Sequence, residues 1–177
     1  PGWWGSVFLL VANATLFGSL LFGYAFLWTI APGWPPPAFI QPSVPVLIAA
    51  PAGAALAFAG ALGAVRINRT GGNPSGFLLT ALAGGICLSA AFAGLLWGAP
   101  SPTGHAYGAT VWVLGCYGLA HALLVGLMAT FVVARHRAGF VSPRRRAELA
   151  IVAVWGAYLL AVTCLIVLAV YLPGLVS

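Results

Sequence analysis

Acidic side chains are almost absent from this chain of 177 residues. Glu148 is the single carboxylate, set against seven basic residues that are all arginine. Proton relays, ion pathways and most metal sites inside membranes are built from groups of Asp, Glu and His side chains. The predicted spans contain no acidic residue with which to build such a site, so the sequence predicts a non-catalytic protein that works by packing against something else.

Cysteine is also scarce, and its spacing does not favour metal or disulfide chemistry. Cys87, Cys116 and Cys164 each fall in a separate apolar stretch, with no C-x-x-C pair. Isolated cysteines of this kind behave as small hydrophobic residues. We therefore expect them to be buried in the packing, with no metal ion bound by this chain.

Long apolar stretches dominate the sequence. It is 62% hydrophobic and 5% charged, whereas soluble domains are roughly 25% charged. A bilayer core is crossed by about 20 apolar residues in a helix, and the stretches lack the alternation of a membrane β-barrel. The sequence predicts an all-α, polytopic bundle in one domain over residues 1–177, with five transmembrane helices at about 3–30, 44–65, 76–97, 107–134 and 149–172.

Proline and glycine mark where these spans end. The first should stop in the run from Pro32 to Pro37, and the fifth at Pro173-Gly174. Ser142 followed by Pro143 is typical of a helix cap and first helical position. Glu148 would then lie in the first turns of the fifth helix, where it favours the helix dipole and neutralises a nearby arginine.

The arginines indicate the orientation of the bundle. They occur in two loops only, after the second and fourth spans: Arg66, Arg69, Arg135, Arg137, Arg144, Arg145 and Arg146. With five spans, these loops share one side, which the positive-inside rule assigns to the cytoplasm together with the N-terminus, leaving the C-terminus outside. We expect the arginines to contact lipid head groups, at about 1 kcal/mol per charge, or a partner. The short basic run lacks interleaved aromatic residues and predicts no nucleic-acid binding.

Aromatic residues gather near the opposite, outer ends of the spans. Trp28, Trp34, Trp97 and Tyr107 occupy such positions. Tryptophan and tyrosine are enriched at the membrane–water interface. We interpret these four as an aromatic belt.

Small residues repeat along the second span. Gly53, Ala57 and Ala61 follow one another every four residues, and the third and fourth spans contain further glycines. Small residues at this spacing allow helix backbones to approach closely in a membrane. The pattern leaves open whether these faces meet one another or a partner protein.

Two polar residues lie well inside spans. His121 is midway along the fourth and Asn13 is in the first. Heme ligation by two histidines needs a second imidazole at similar depth, but His105 is at the outer mouth and His136 in an arginine loop. We therefore expect a neutral, hydrogen-bonded His121, and an Asn13 that bonds one helix to another rather than binding an ion.

Several short motifs resemble subunit III of cytochrome c oxidase, in the heme-copper oxidase family. Trp3-Trp4-Gly5, Ala14-Thr15-Leu16-Phe17 and Tyr24-Ala25-Phe26-Leu27 are similar to its opening bundle helix, and Trp34-Pro35-Pro36 to a motif found after that helix in forms related to I+III fusions. His105-Ala106-Tyr107-Gly108 resembles the entry to its penultimate helix, and Gly115, His121 and Gly126 resemble the stretch that follows. The chain departs from the family at Asn13, where the family has a buried glutamate, and in the last span, where Trp155 is followed by Gly156-Ala157-Tyr158.

The resemblance implies an accessory subunit of a bacterial oxidase in the cytoplasmic (inner) membrane. Such a subunit holds no heme or copper, and both would reside in the catalytic subunit I beside it. Its expected contribution to aerobic electron transport is to stabilise that subunit with the other oxidase subunits, to bind phospholipid and to shield the proton-entry side. The alternatives are a small transporter or channel, and a structural subunit of another respiratory or photosynthetic complex.

Overall fold

The computed structural model describes residues 2–31, 33–36 and 44–173. In that part of the chain the regular structure consists of five α-helices: α1 (Gly2–Ile30), α2 (Val44–Arg69), α3 (Ser75–Gly98), α4 (Ala106–Arg137) and α5 (Ala147–Tyr171). All five are long and apolar enough to cross a membrane, as predicted. Pro32, Pro37 and Gly174, which we expected to end the first and fifth spans, lie outside the described residues.

The helices are longer than a bilayer core is thick. They contain 24 to 32 residues, which corresponds to about 36–48 Å of helix against roughly 30 Å of hydrocarbon. Arg66 and Arg69 occupy the last turn of α2, and Arg135 and Arg137 that of α4. Positive charge at a helix C-terminus is stabilising.

Four of the helices form a closed bundle, with α1 on its outside. Around the bundle, α2 packs against α3, α3 against α4, α4 against α5, and α5 against α2, whereas α1 lies on α4 and α5. In the most apolar window of α1 only 6% of residues are buried, compared with 33% or 44% in the other helices. α1 is therefore a peripheral helix.

The closest helix contact is between α2 and α3, and it depends on glycine. A Cβ atom on Gly53 would lie 2.8 Å from the backbone nitrogen of Leu88, and one on Gly60 would lie 2.5 Å from that of Ala81. Ala57 and Ala61 of the same face are buried. The small-residue face of α2 thus meets α3 within the chain, which resolves the alternative that the sequence left open.

The start of α5 differs from the prediction. Ser142 does not cap the helix: its Oγ accepts a hydrogen bond from the Arg145 N–H at 3.2 Å, and the Ser142 N–H donates to the Arg145 carbonyl, which closes a turn. α5 begins only at Ala147, so Pro143 lies outside it. Glu148 is in the first turn, as expected.

The expectation of buried cysteines was wrong. Cys87, Cys116 and Cys164 are all exposed on the surface of the chain. The Cys87 thiol lies 3.8 Å from the Ala49 carbonyl oxygen of α2, at the edge of a helix contact. Hydropathy reports that a residue lies in a membrane span and not which way it faces.

The aromatic-belt interpretation was also wrong for two residues. Trp97 is 94% exposed, as a belt residue would be, but Trp34 and Tyr107 are buried. Trp34 Nε1 donates to the Tyr24 hydroxyl, and the Tyr107 hydroxyl donates to the Val170 carbonyl. Their polar atoms find partners inside the protein, which allows the rings to pack there instead of at the lipid head groups.

Candidate functional site

Polar side chains on one face of α1 attach it to the bundle. Ser6, Asn13 and Tyr24 are separated by seven and eleven residues, which places them on the same face of a helix with 3.6 residues per turn. They contact α4 and α5 at three depths. We call this set the α1 interface; its bundle side consists of Tyr117, His121, Trp155, Tyr158 and Ala169.

The centre of the α1 interface is a pair formed by Asn13 and His121. The Nε2 atom of His121 lies 3.0 Å from Oδ1 of Asn13, and its Nδ1 lies 2.8 Å from the Tyr117 carbonyl oxygen in the preceding turn of α4. The imidazole is 9% exposed and stacks on the Tyr117 ring at 4.1 Å. Asn13 thus bonds one helix to another, as we expected.

The hydrogen-bond partners of His121 fix its tautomer. A carbonyl oxygen can only accept, so Nδ1 carries a proton and donates it to Tyr117. In a neutral imidazole Nε2 is then an acceptor, and it needs the NH₂ group of Asn13 opposite it rather than Oδ1. An uncompensated charge in a membrane span is costly. A neutral ring with a proton on Nδ1 would need the Asn13 NH₂ group opposite Nε2, whereas the structure places Oδ1 there and Nδ2 2.8 Å from the Leu9 carbonyl oxygen.

A pair of tyrosines extends this centre to α5. The Tyr117 hydroxyl donates to the Asn13 carbonyl at 3.0 Å and lies 2.6 Å from the Tyr158 hydroxyl. Since a phenol has one proton, Tyr158 is the donor to Tyr117. A single hydroxyl group, that of Tyr117, therefore joins α1, α4 and α5.

Each end of the α1 interface has a hydrogen bond of its own. Trp155 Nε1 donates to Ser6 Oγ at 2.8 Å, and the Tyr24 hydroxyl donates to the Ala169 carbonyl. α1 therefore runs parallel to α5, from Ser6 beside Trp155 to Tyr24 beside Ala169. This places the two ends of the helical chain on opposite sides of the bundle.

An aromatic cluster covers the C-terminal end of α1. The Trp34 ring lies 5.4 Å from the Tyr24 ring, 5.1 Å from Tyr107 and 6.0 Å from His105, between centroids. His105 is the N-cap of α4, where Nδ1 accepts from the Tyr107 N–H at 3.0 Å. The segment after α1 is thus packed against the start of α4.

The two arginine loops meet at the other end of the molecule. Asn68 Nδ2 donates to the Ser142 carbonyl at 3.1 Å, and His136 Nε2 lies 3.2 Å from Asn73 Oδ1. These contacts join the end of α2 and the loop after it to the end of α4 and the segment after it. Both loops therefore lie at one end of the bundle, as the five-span topology requires.

One arginine at this end is neutralised within the chain. Arg135 Nε lies 2.8 Å from Glu148 Oε1, and its guanidinium carbon lies 5.6 Å and 4.9 Å from the ring centroids of Phe131 and Phe140. Both side chains of the ion pair are about one-third exposed, so the pair stabilises the fold by less than about 1 kcal/mol. The exposed arginines are the remaining six: Arg66, Arg69, Arg137, Arg144, Arg145 and Arg146.

The histidines lie at three different depths. His105 and His136 stand 31 residues apart at opposite ends of α4, which is roughly 46 Å of helix, with His121 between them. Both nitrogens of His121 have protein partners, so this geometry does not suit heme ligation by the chain alone. Among the residues that the structure describes, no group of three His, Cys, Asp or Glu side chains could hold a metal ion.

Sequence reasoning identified Asn13 and His121 individually but missed the rest of the α1 interface. Ser6, Tyr24, Tyr117, Trp155 and Tyr158 were not identified as its members. The sequence did contain a signal for these members of the interface, because Tyr117 and His121 are four residues apart and Trp155 and Tyr158 are three apart. Pairs at those spacings share a helix face.

Comparison with known proteins gives no assignment: no family model matches this sequence, and no curated protein matches it.

Proposed function

We propose that this chain is a non-catalytic accessory subunit, similar to subunit III, of a bacterial cytochrome c oxidase. The observation that carries the proposal is the meeting of the segments that resemble that family. Trp34, in the motif that follows α1, packs on His105 and Tyr107, in the motif at the start of α4. Two motifs that are far apart in the sequence thus meet at one end of the bundle.

The polar groups inside the spans support a structural role. Those of the α1 interface bond to one another or to backbone carbonyls of a neighbouring helix. They hold α1 in register on the bundle instead of facing a polar passage. In this role the chain supplies scaffold and lipid order, while heme and copper in subunit I carry electrons to oxygen.

The free face of α1 supplies a surface for the catalytic subunit. Trp4, Phe8 and Phe22 are 65%, 70% and 74% exposed, the largest exposures among the aromatic residues of this helix. One side of this helix packs on the bundle, and the other side exposes large apolar side chains. Such a surface is suited to pack against a helix of another subunit in a larger assembly. We assign the arginine end and the N-terminus to the cytoplasm of the inner membrane, in accord with the positive-inside rule.

Purification of the assembly from native membranes tests this proposal. The tagged chain should co-purify with heme-bearing partners, seen together in the optical spectrum and by mass spectrometry. Phe8→Ala with Phe22→Ala should lower the heme recovered per chain several-fold. Ile86→Ala, which removes a side chain of α3 that is 64% exposed, is the control. A heme-free chain that is stable alone and transports a solute in liposomes would contradict the assignment.

A further inference from the structure

A groove between α2 and α3 opens at the arginine end of the molecule. Its volume is roughly 500 Å³, and its walls are largely apolar. Arg66 lies at the mouth, and the apolar lining comes from Ala59, Leu62, Gly63, Ile67 and Phe77. From Arg66 to Ala59 the groove follows two turns of α2, about 10 Å towards the middle of the membrane.

The charge at the mouth has no carboxylate to neutralise it. Arg66 is exposed, and the single acidic side chain of the sequence, Glu148, is bonded to Arg135. Arg69 follows one turn later on the same helix and is exposed as well. An arginine in the last turn of a spanning helix reaches the level of the phosphate groups, and guanidinium binds phosphate through paired hydrogen bonds.

We propose that the α2–α3 groove is a binding site for an anionic phospholipid, with its phosphate on Arg66 and an acyl chain against Gly63, Leu62 and Ala59. Phosphate alone does not distinguish lipids, since zwitterionic lipids carry it too. The discrimination comes from the rest of the head group. A choline or ethanolamine cation would face Arg66 with no free carboxylate nearby, whereas a neutral glycerol would not be repelled.

A second groove at the same end of the molecule differs from the α2–α3 groove in its charge. It lies between α4 and α5, has a volume of roughly 440 Å³, and is lined by Glu148 with apolar residues that include Phe131 and Ile151. Its nearest guanidinium, that of Arg135, is already paired with Glu148. Anionic lipid should therefore prefer the α2–α3 groove. This site does not depend on which partner the bundle has.

Native mass spectrometry of the full-length protein tests the site. The delipidated chain is mixed with phosphatidylglycerol or phosphatidylcholine in detergent, and the bound lipid is counted. Phosphatidylglycerol should bind more tightly. Arg66→Gln should weaken its binding by roughly 10- to 150-fold, since a hydrogen bond to a charged group contributes about 1.5–3 kcal/mol and each 1.4 kcal/mol is tenfold. Arg69→Gln removes the same charge from outside the groove and should change binding less than threefold.

A substitution in the apolar wall provides an independent arm. Ala59 is exposed, so Ala59→Trp fills the groove without disturbing the core and should displace lipid while leaving the helical content unchanged. The proposal would be overturned by any one of three results. These are equal binding of the two lipids, equal effects of Arg66→Gln and Arg69→Gln, and full lipid binding by Ala59→Trp. Should Arg66→Gln fail to fold, the lipid preference of the unaltered chain and Ala59→Trp still decide it.

Discussion

At the scale of single residues, the pair of Asn13 and His121 has the clearest energetic consequence. It is a hydrogen bond between helices at the centre of a span, and bonds of this kind contribute about 0.6 to 1.7 kcal/mol in membrane proteins. A double-mutant cycle with Asn13→Ala and His121→Ala should give a coupling energy in that range, measured by unfolding in mixed detergent micelles.

A matched cycle supplies the control for this pair. Thr130 is exposed and bonds only to the Gly126 carbonyl of its own helix, so Asn13→Ala and Thr130→Ala should be additive. Additivity for Asn13 and His121 as well would contradict the hydrogen bond between them.

Gly60 is the second residue with a sharp consequence. A Cβ atom there would lie 2.5 Å from the Ala81 nitrogen and 2.7 Å from the Phe77 carbonyl oxygen, and backbone atoms cannot move aside as a flexible side chain can. Gly60→Ala should therefore force α2 and α3 apart and lower the free energy of unfolding by about 1–3 kcal/mol. The measurement is again unfolding in mixed micelles.

Gly18 in α1 is the control for Gly60. No atom outside its own stretch of helix lies within 4 Å of a Cβ built there, so Gly18→Ala should be neutral or stabilise the protein by up to about 1 kcal/mol through helix propensity. If both alanine variants are equally stable, the close contact of α2 with α3 is not what holds them together.

At the scale of elements, α1 and the four-helix bundle make different contributions to stability. The bundle closes on itself through α2 and α5, whereas α1 is largely exposed. A chain that begins at Val44 should therefore insert, remain monodisperse in detergent and keep the helicity of its four helices by circular dichroism.

The element whose loss should matter more is α5. It packs against both α2 and α4, and its buried residues include Trp155, Leu159 and Ile166. A chain that ends before Ala147 should aggregate. Aggregation of the α1-deleted chain to the same extent would show that the bundle needs α1 after all.

Hydropathy could predict the existence of these elements but not how they pair. Each span is apolar on all sides, so no amphipathic face identifies the side that meets a neighbour. That is why Trp34 and Tyr107 were assigned to an outer belt, and why the cysteines were expected inside. Asn13 and His121 could be recognised as hydrogen-bonding residues because polar atoms in lipid need partners. Their pairing with each other depends on tertiary packing, which cannot be predicted from the spacing of residues within one helix.

At the scale of the whole molecule, charge and topology agree. The hydrogen bonds from Asn68 to Ser142 and from His136 to Asn73 place both arginine loops at one end, and Ser101 and Thr103 lie exposed in the loop between α3 and α4 at the other. The positive-inside rule predicts that the arginine end faces the cytoplasm.

Single cysteines introduced at Thr70 and Ser101, after replacement of Cys87, Cys116 and Cys164 by alanine, report the two sides of the membrane and test this prediction. On intact cells a membrane-impermeant maleimide should label Ser101→Cys at once, and Thr70→Cys only after permeabilisation. Labelling of Thr70→Cys from outside would mean that the charges do not set the orientation, since both positions are solvent-facing and their accessibility differs only by the side of the membrane.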